Sequence, residues 1–360
     1  MKEKEGCLCR MYYGHNSLKS QNIFAFLSDS IILKKNDIWF GVESMKQTLV
    51  IGSAVVDVIV NIPHLPHTGE DVHISRQSRS LGGCAFLVSD ILRHFAAPYS
   101  LCTAVGTGIY GDFVEKKLKE RGVPIYVQRP EENGCCYCMV ETEKGGERSF
   151  IVDHGIEYTF YEAYLEKIDT ASVDSVYVCG LEIEEYTGEN IIAYLKKHPK
   201  YTVYFAPGAR IMQIQPERME EMLSLHPVLH LNEGESLAFT GEKTVEAAAR
   251  AIYEKTRNVV IITLGERGAY YYDGADHVVQ PVLAKVKDTI GAGDSHMGAI
   301  IAARRFGFSY DDALCIANHV SATVVEQEGG LLEEVDFQKV LSGLPSVFRE
   351  KLHPKQRGKS

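Results

Sequence analysis

Residues 288–298 read Asp-Thr-Ile-Gly-Ala-Gly-Asp-Ser-His-Met-Gly. Two aspartates bracket a turn in which Gly291, Ala292 and Gly293 carry almost no side chain. The stretch 283–307 reads as strand, tight turn and helix, the helix running from about Gly293 to Phe306. At such a helix start the N–H groups of Gly291, Ala292, Gly293 and Asp294 have no intrahelical partners and sit at the positive end of the helix dipole. That is an anion hole suited to a phosphoryl group, and any larger side chain would hold the phosphate away. A carboxylate there repels an anion, so Asp294 makes sense as a base. It would take the proton of an attacking hydroxyl while the amides stabilise the transferring oxygens. An acidic residue in the first helical turn is also a common stabilising device, and this segment alone leaves both readings open.

Positioning such a turn needs a sheet edge behind it. From residue 48 the chain alternates strands and helices. The strands are 48–60, 99–105, 124–128, 175–180, 201–208, 227–232 and 258–265; the helical stretches include 84–97, 112–122 and 244–256. Continuous apolar strands separated by helices imply a parallel sheet covered on both faces. Residues 61–83 and 135–152 interrupt the alternation as hairpin-like pairs, the second with a turn at 143–146, and are expected to form a small separate sheet able to act as a lid hinged at Gly82-Gly83.

The chain has 360 residues and a net charge of −10, which argues against a broad nucleic-acid surface. No apolar run is long enough for a bilayer and no signal pattern opens the chain, so a cytoplasmic protein without membrane contact is expected. Nine irregularly spaced cysteines do not suggest a disulfide framework. Cys135, Cys136 and Cys138 lie in a strand pattern and read as buried thiols rather than metal ligands. Residues 1–44 do not resemble the rest and are expected to be an appendage, or upstream sequence read from an early start codon; 346–360 read as a basic, disordered tail. Gly106, Gly108 and Gly111 form a literal G-x-G-x-x-G, the fingerprint of a dinucleotide-binding dehydrogenase, but also what a βα turn needs for packing.

The pattern D-T-x-G-A-G-D, complete as Asp288, Thr289, Gly291, Ala292, Gly293 and Asp294, resembles the second signature of the ribokinase/PfkB carbohydrate kinase family. Further stretches follow the family's order: Asn232 and Glu235 as N-x-x-E; Thr263, Gly265 and Gly268 as T-x-G-x-x-G; Asp57 closing "GSAVVD"; Gly82 and Gly83 in "LGGCA"; and Asn318 in "IANHVSATVVEQEGG". The resemblance covers 45 to about 345. It absorbs Gly108, Gly111 and Asp112 as the family's glycine turn. It implies a ribokinase-like three-layer α/β/α fold, a mainly parallel central sheet and a small β-sheet lid, with lid strands near 58–82 and 133–153. It implies ATP and Mg²⁺, with the metal near Asn232 and Glu235, held by Glu235 through water. It implies nucleotide contacts from Thr263, Gly265, Gly268 and Asn318, and a sugar held by Asp57, Gly82, Gly83 and Asp294. Asp288, with carbonyls near Ile290 and around 325–330, resembles a monovalent-cation loop, implying K⁺. A homodimer through the lid sheets is implied as well.

One position departs from the family. Where an asparagine usually holds sugar hydroxyls stands Leu87, which cannot make that bond. The reading is an ATP-dependent kinase of a small carbohydrate. A nucleoside kinase with a more aromatic pocket (Phe86, Tyr137, Phe150), a dehydrogenase, and a non-catalytic sugar-sensing protein are the rivals. His296 reads either as a phosphate contact or as a packed helix residue, and strand alternation does not settle where Arg148 points.

Overall fold

The computed structural model describes residues 46–144 and 147–352; the expectations for 1–44 and for 353–360 lie outside them. Among these residues the strands are β1 (Gln47–Ile51), β2 (Val55–Ile62), β3 (Arg76–Gly82), β4 (Tyr99–Cys102), β5 (Ala104–Thr107), β6 (Val127–Glu132), β7 (Cys135–Glu141), β8 (Glu147–Asp153), β9 (Val173–Cys179), β10 (Thr202–Ala206), β11 (Val228–Asn232), β12 (Val260–Thr263), β13 (Ala269–Tyr272) and β14 (Asp276–Val279). The helices are α1 (Cys84–His94), α2 (Gly108–Glu120), α3 (Gly180–Glu184), α4 (Gly188–Lys197), α5 (Pro216–Ser224), α6 (Glu233–Thr240), α7 (Val245–Thr256), α8 (Ala292–Arg305), α9 (Tyr310–Val324), α10 (Glu334–Gly343) and α11 (Ser346–Leu352).

Eight strands form the central sheet in the order β14-β13-β12-β11-β10-β9-β1-β4. It is parallel from β4 to β12 and ends in the antiparallel hairpin β13–β14. Neighbouring residues point to opposite faces, so each strand feeds two cores. Val50, Leu101, Tyr177, Tyr204 and Ile261 pack with α1, α8, α9 and α10. Leu49, Val176, Val203, Leu229 and Val260 pack with α4, α5 and α7. Strands buried on both faces explain the unbroken apolar runs in the sequence.

A four-stranded sheet stands apart, in the order β3-β2-β7-β8. Val56, Val58, Val60 and Ile62 are buried in the core that also takes in Val114 of α2, and Asp57, Ile59 and Asn61 occupy the opposite face. Register carries that face across: Asp57 lies beside Cys136 and Asn61 beside Val140, and Val140 lies opposite Arg148.

Four expectations need correction. Residues 48–60 are not one strand: β1 and β2 belong to different sheets, broken at Gly52 (φ 146°), where a Cβ would stand 2.6 Å from Glu182 Oε1. Residues 99–105 divide likewise into β4 and β5, because Thr103 turns the chain out of the central sheet. Residues 281–287 form no strand, and Leu283 is 91% exposed. Residues 346–352, expected in the tail, form α11, which buries Leu352 and sets Phe348 edge-on to Phe308.

Candidate active site

The residues singled out by their chemistry meet at the carboxyl ends of β1, β9, β11 and β12. Gly291 is the N-cap of α8 at φ 71°, a conformation that favours glycine. A Cβ on it would stand 2.7 Å from Gly330 Cα and 3.0 Å from Leu87 Cδ1. A Cβ on Gly293 would meet nothing within 4 Å, so that side of the turn is open. Ser295 N–H returns to Gly291 O at 2.8 Å, and Ala292 N–H to Thr289 O at 3.3 Å. The Ala292 amide is therefore committed to the turn, a correction to the four free donors expected; those of Gly293 and Asp294 have no backbone partner among the described residues.

Asp294 follows as the third residue of α8. Burial pushes its carboxyl up to about 6; the Cys84 thiol and Tyr177 hydroxyl beside it oppose that shift, and the charges of Glu182 and Glu235 add to it. Asp57 on β2 rises to about 7, from burial first and then from the charges of Asp294 and Asp288. Gly82 lies against this carboxylate: a Cβ there would fall 2.0 Å from Asp57 Oδ2. Gly83, at φ 96°, lets the chain pass within 2.6 Å of Ser53 O, measured from where its Cβ would be. Gly82 thus packs against Asp57, and the Asp294 charge is felt at the same carboxylate.

A cavity of about 310 Å³ opens at the α8 turn, lined by Thr263, Gly265, Gly268, Ala292, Gly293 and Asn318 among others. The exposed apolar side chains of Leu283 and Val286 border it. Asn318 Nδ2 donates to Gln280 O at 2.8 Å, which fixes its amide, so Oδ1 accepts from His296 Nε2 at 3.1 Å. His296 Nδ1 then accepts from His230 Nε2 at 3.0 Å. Burial holds His296 down to about 4 and His230 well below its ordinary value, so both rings are neutral. His296 is buried and sets the position of Asn318; His230 stands in no motif that could have marked it.

Asn232 and Glu235 form a capping box on α6: Asn232 Oδ1 accepts from Glu235 N at 2.8 Å, and Glu235 Oε2 accepts from Asn232 N at 2.9 Å. Both side chains are fixed in place, and burial raises the Glu235 carboxyl. Among the described residues no group of three or more His, Cys, Asp or Glu could hold a metal ion by itself.

Asp288 is committed on every side. Its Oδ1 accepts from Ile290 N at 2.8 Å and from Arg148 Nη1, and its Oδ2 accepts from Gly329 N at 2.7 Å. The Val325 carbonyl takes the N–H groups of Lys287 at 2.7 Å and of Asp288 at 3.2 Å. The Arg148 guanidinium thus stands on the carboxylate at which a monovalent cation was expected.

The remaining features are structural. Leu87 is 5% exposed and packs against Gly291 and Gly330 behind the α8 turn. Gly106 and Gly111 allow close backbone packing, since Cβ atoms there would lie 2.2 Å from Glu131 O and 2.5 Å from Gly106 O. The pair β5–β6 they serve is outside the central sheet, unlike a dinucleotide fingerprint. A polar cavity of about 470 Å³ lies at the far end of α8, lined by Asp174, Tyr204, Arg304 and Arg305. There Arg305 is tied to Asp174 at 2.6 Å and Ser175 at 2.7 Å.

This fold is that of the ribokinases. The ribokinase of Thermotoga maritima aligns with a TM-score of 0.71 at 22% identity, over 83% of this chain and 100% of that one. A putative ribokinase II from E. coli, solved with ATP and Mg²⁺, aligns with a TM-score of 0.68 at 22% identity, over 82% and 99%. The chain belongs to the pfkB family of carbohydrate kinases, whose profile matches residues 45–334. It is 28% identical over 291 residues to the uncharacterised sugar kinase YegV of Escherichia coli (strain K12), 79% of this chain and 90% of that protein. The chain is accordingly a phosphotransferase with an alcohol group as acceptor.

Proposed function

We propose that the protein transfers the γ-phosphoryl group of Mg-ATP to a hydroxyl of a small carbohydrate, with Asp294 as general base. One observation carries this reading. The first turn of α8 joins the two parts of the site: Ala292 and Gly293 line the 310 Å³ cavity, and the next residue, Asp294, acts by its charge on Asp57. The nucleotide fits the cavity, where Gly293 leaves room for phosphate and Thr263, Gly265, Gly268 and Asn318 offer a wall for the rest. Mg-ATP supplies the transferable phosphoryl group and the metal charge on its oxygens. Glu235, held by its own cap, leaves Oε1 to receive a metal-bound water.

The chain's own groups do the rest. The free Gly293 and Asp294 amides, with Gly291, face developing negative charge at the helix start. Asp57 accepts a sugar hydroxyl beside Gly82 and Gly83. Asp294, with its carboxyl near 6, is ionised at neutral pH and basic enough to take the hydroxyl proton. The small sheet acts as a lid that excludes water. The test is substrate-dependent ADP release from Mg-ATP across pentoses, hexoses, sugar acids and nucleosides. A sugar that releases ADP stoichiometrically with its phosphate ester supports the reading. ATP binding without release by any sugar contradicts it.

A further inference from the structure

The small sheet touches the catalytic loops through its two edge strands. Arg76 of β3 pairs with Glu328 at 3.2 Å, and Arg148 of β8 pairs with Asp288. The two contacts differ in kind. Arg76 and Glu328 are 61% and 69% exposed, so their pair is screened by water and salt. The Asp288 side chain is 2% exposed and Arg148 19%. A buried carboxylate needs a cation or it is strongly destabilising. Asp288 is the only ion-pair partner of Arg148 among the described residues. Arg148 Nε is buried without an acceptor, so the guanidinium is placed by the carboxylate across the gap and not by its own sheet.

Asp288 begins the loop that ends in Asp294, and it also binds Gly329 of the segment packed behind Gly291. Whatever cation sits on Asp288 therefore fixes the turn that offers the phosphate-facing amides. A side-chain cation from the small sheet already stands at the carboxylate where a monovalent cation was expected. We propose that Arg148 is a positioning residue that takes the place of a monovalent cation at Asp288, so that lid closure itself brings the charge that orders the 288–294 turn and transfer does not need potassium.

This inference rests on the kinase reading, and the test separates the two. ADP release by the active sugar is measured with K⁺ or with tetramethylammonium as the only monovalent cation, for wild type, Arg148→Ala, Arg148→Lys and Arg76→Ala. Wild type is expected to keep its kcat within about twofold across the two salts. Arg148→Ala is expected to lose about tenfold or more in kcat, the rate equivalent of about 1.4 kcal/mol. Added guanidinium should restore part of it, and Arg148→Lys should retain more than the alanine variant. Arg76→Ala should match wild type. Activation of the wild type fivefold or more by K⁺ overturns the inference while leaving the kinase reading intact. So does an Arg148→Ala variant with wild-type kcat in tetramethylammonium.

Discussion

Leu87 fills the space behind Gly291: its Cδ1 lies 3.0 Å from where a Cβ on that glycine would stand. Packed there, Leu87 supports the turn that carries Asp294. Leu87→Asn should therefore not improve sugar binding. It should lower stability by about 2–4 kcal/mol, through lost packing and a buried amide without partners, and leave the sugar KM unimproved. Thermal denaturation and steady-state kinetics check this. A stable asparagine variant with a lower sugar KM would return the residue to the pocket.

Acidification should reduce kcat/KM for the sugar in two steps. The Asp57 and Asp294 carboxyls, raised to about 7 and about 6, interact, so the steps belong to the pair. Asp57→Asn should retain only the lower step. A profile whose acid limb lies wholly near the ordinary carboxylate value would contradict the burial of both groups.

Stability should follow the same carboxyl. Asp57 binds its proton more tightly folded than unfolded, so the cost of ionising it is absent at low pH and grows as pH rises through about 7. Asp57→Asn should therefore be more stable than wild type above neutrality, by about 2 kcal/mol. That is about half of what three units at 1.36 kcal/mol would give, because the side chain is only partly buried. At about pH 4 the gain should vanish. Denaturant titrations at both pH values measure it.

His296→Ala should raise the KM for ATP about tenfold with the sugar KM within about twofold, since it releases Asn318 on the nucleotide side and removes nothing near Asp57. Because burial holds the ring's pKa down to about 4 and the ring is already neutral, the effect should be the same from about pH 6 to 8. An unchanged ATP KM would mean that Asn318 keeps its place through Gln280 alone.

The free edge strand β8 exposes Phe150, Ile151 and Val152 at 55%, 58% and 43%. An exposed apolar edge favours pairing with another chain, in keeping with a homodimer through the lid. Sedimentation should show a dimer in the wild type and a monomer for Ile151→Asp; a monomeric wild type at micromolar concentration would refute it.

Much of the site could be read from the sequence because its chemistry is local. The 288–294 turn, the capping pair Asn232 and Glu235, and the glycines at 82 and 83 each declare themselves within a few residues. What could not be read depends on register and on sheet membership. The face on which Arg148 projects follows from Asn61 lying beside Val140 and Val140 opposite Arg148, a relation across three strands. The break that sends β2 out of the central sheet depends on Glu182, 130 positions away in the chain, leaving room only for glycine at 52. His230 and His296 meet only because β11 and α8 pack together.

The most direct test of the account is single-turnover phosphoryl transfer by Asp294→Asn at saturating Mg-ATP and the active sugar, with ATP affinity measured alongside. The account predicts a fall of about a thousandfold in rate with the ATP Kd within about threefold of wild type, because only the proton acceptor is lost. An asparagine variant that transfers within about tenfold of the wild-type rate would show that Asp294 is a helix-terminal carboxylate and that the base lies elsewhere.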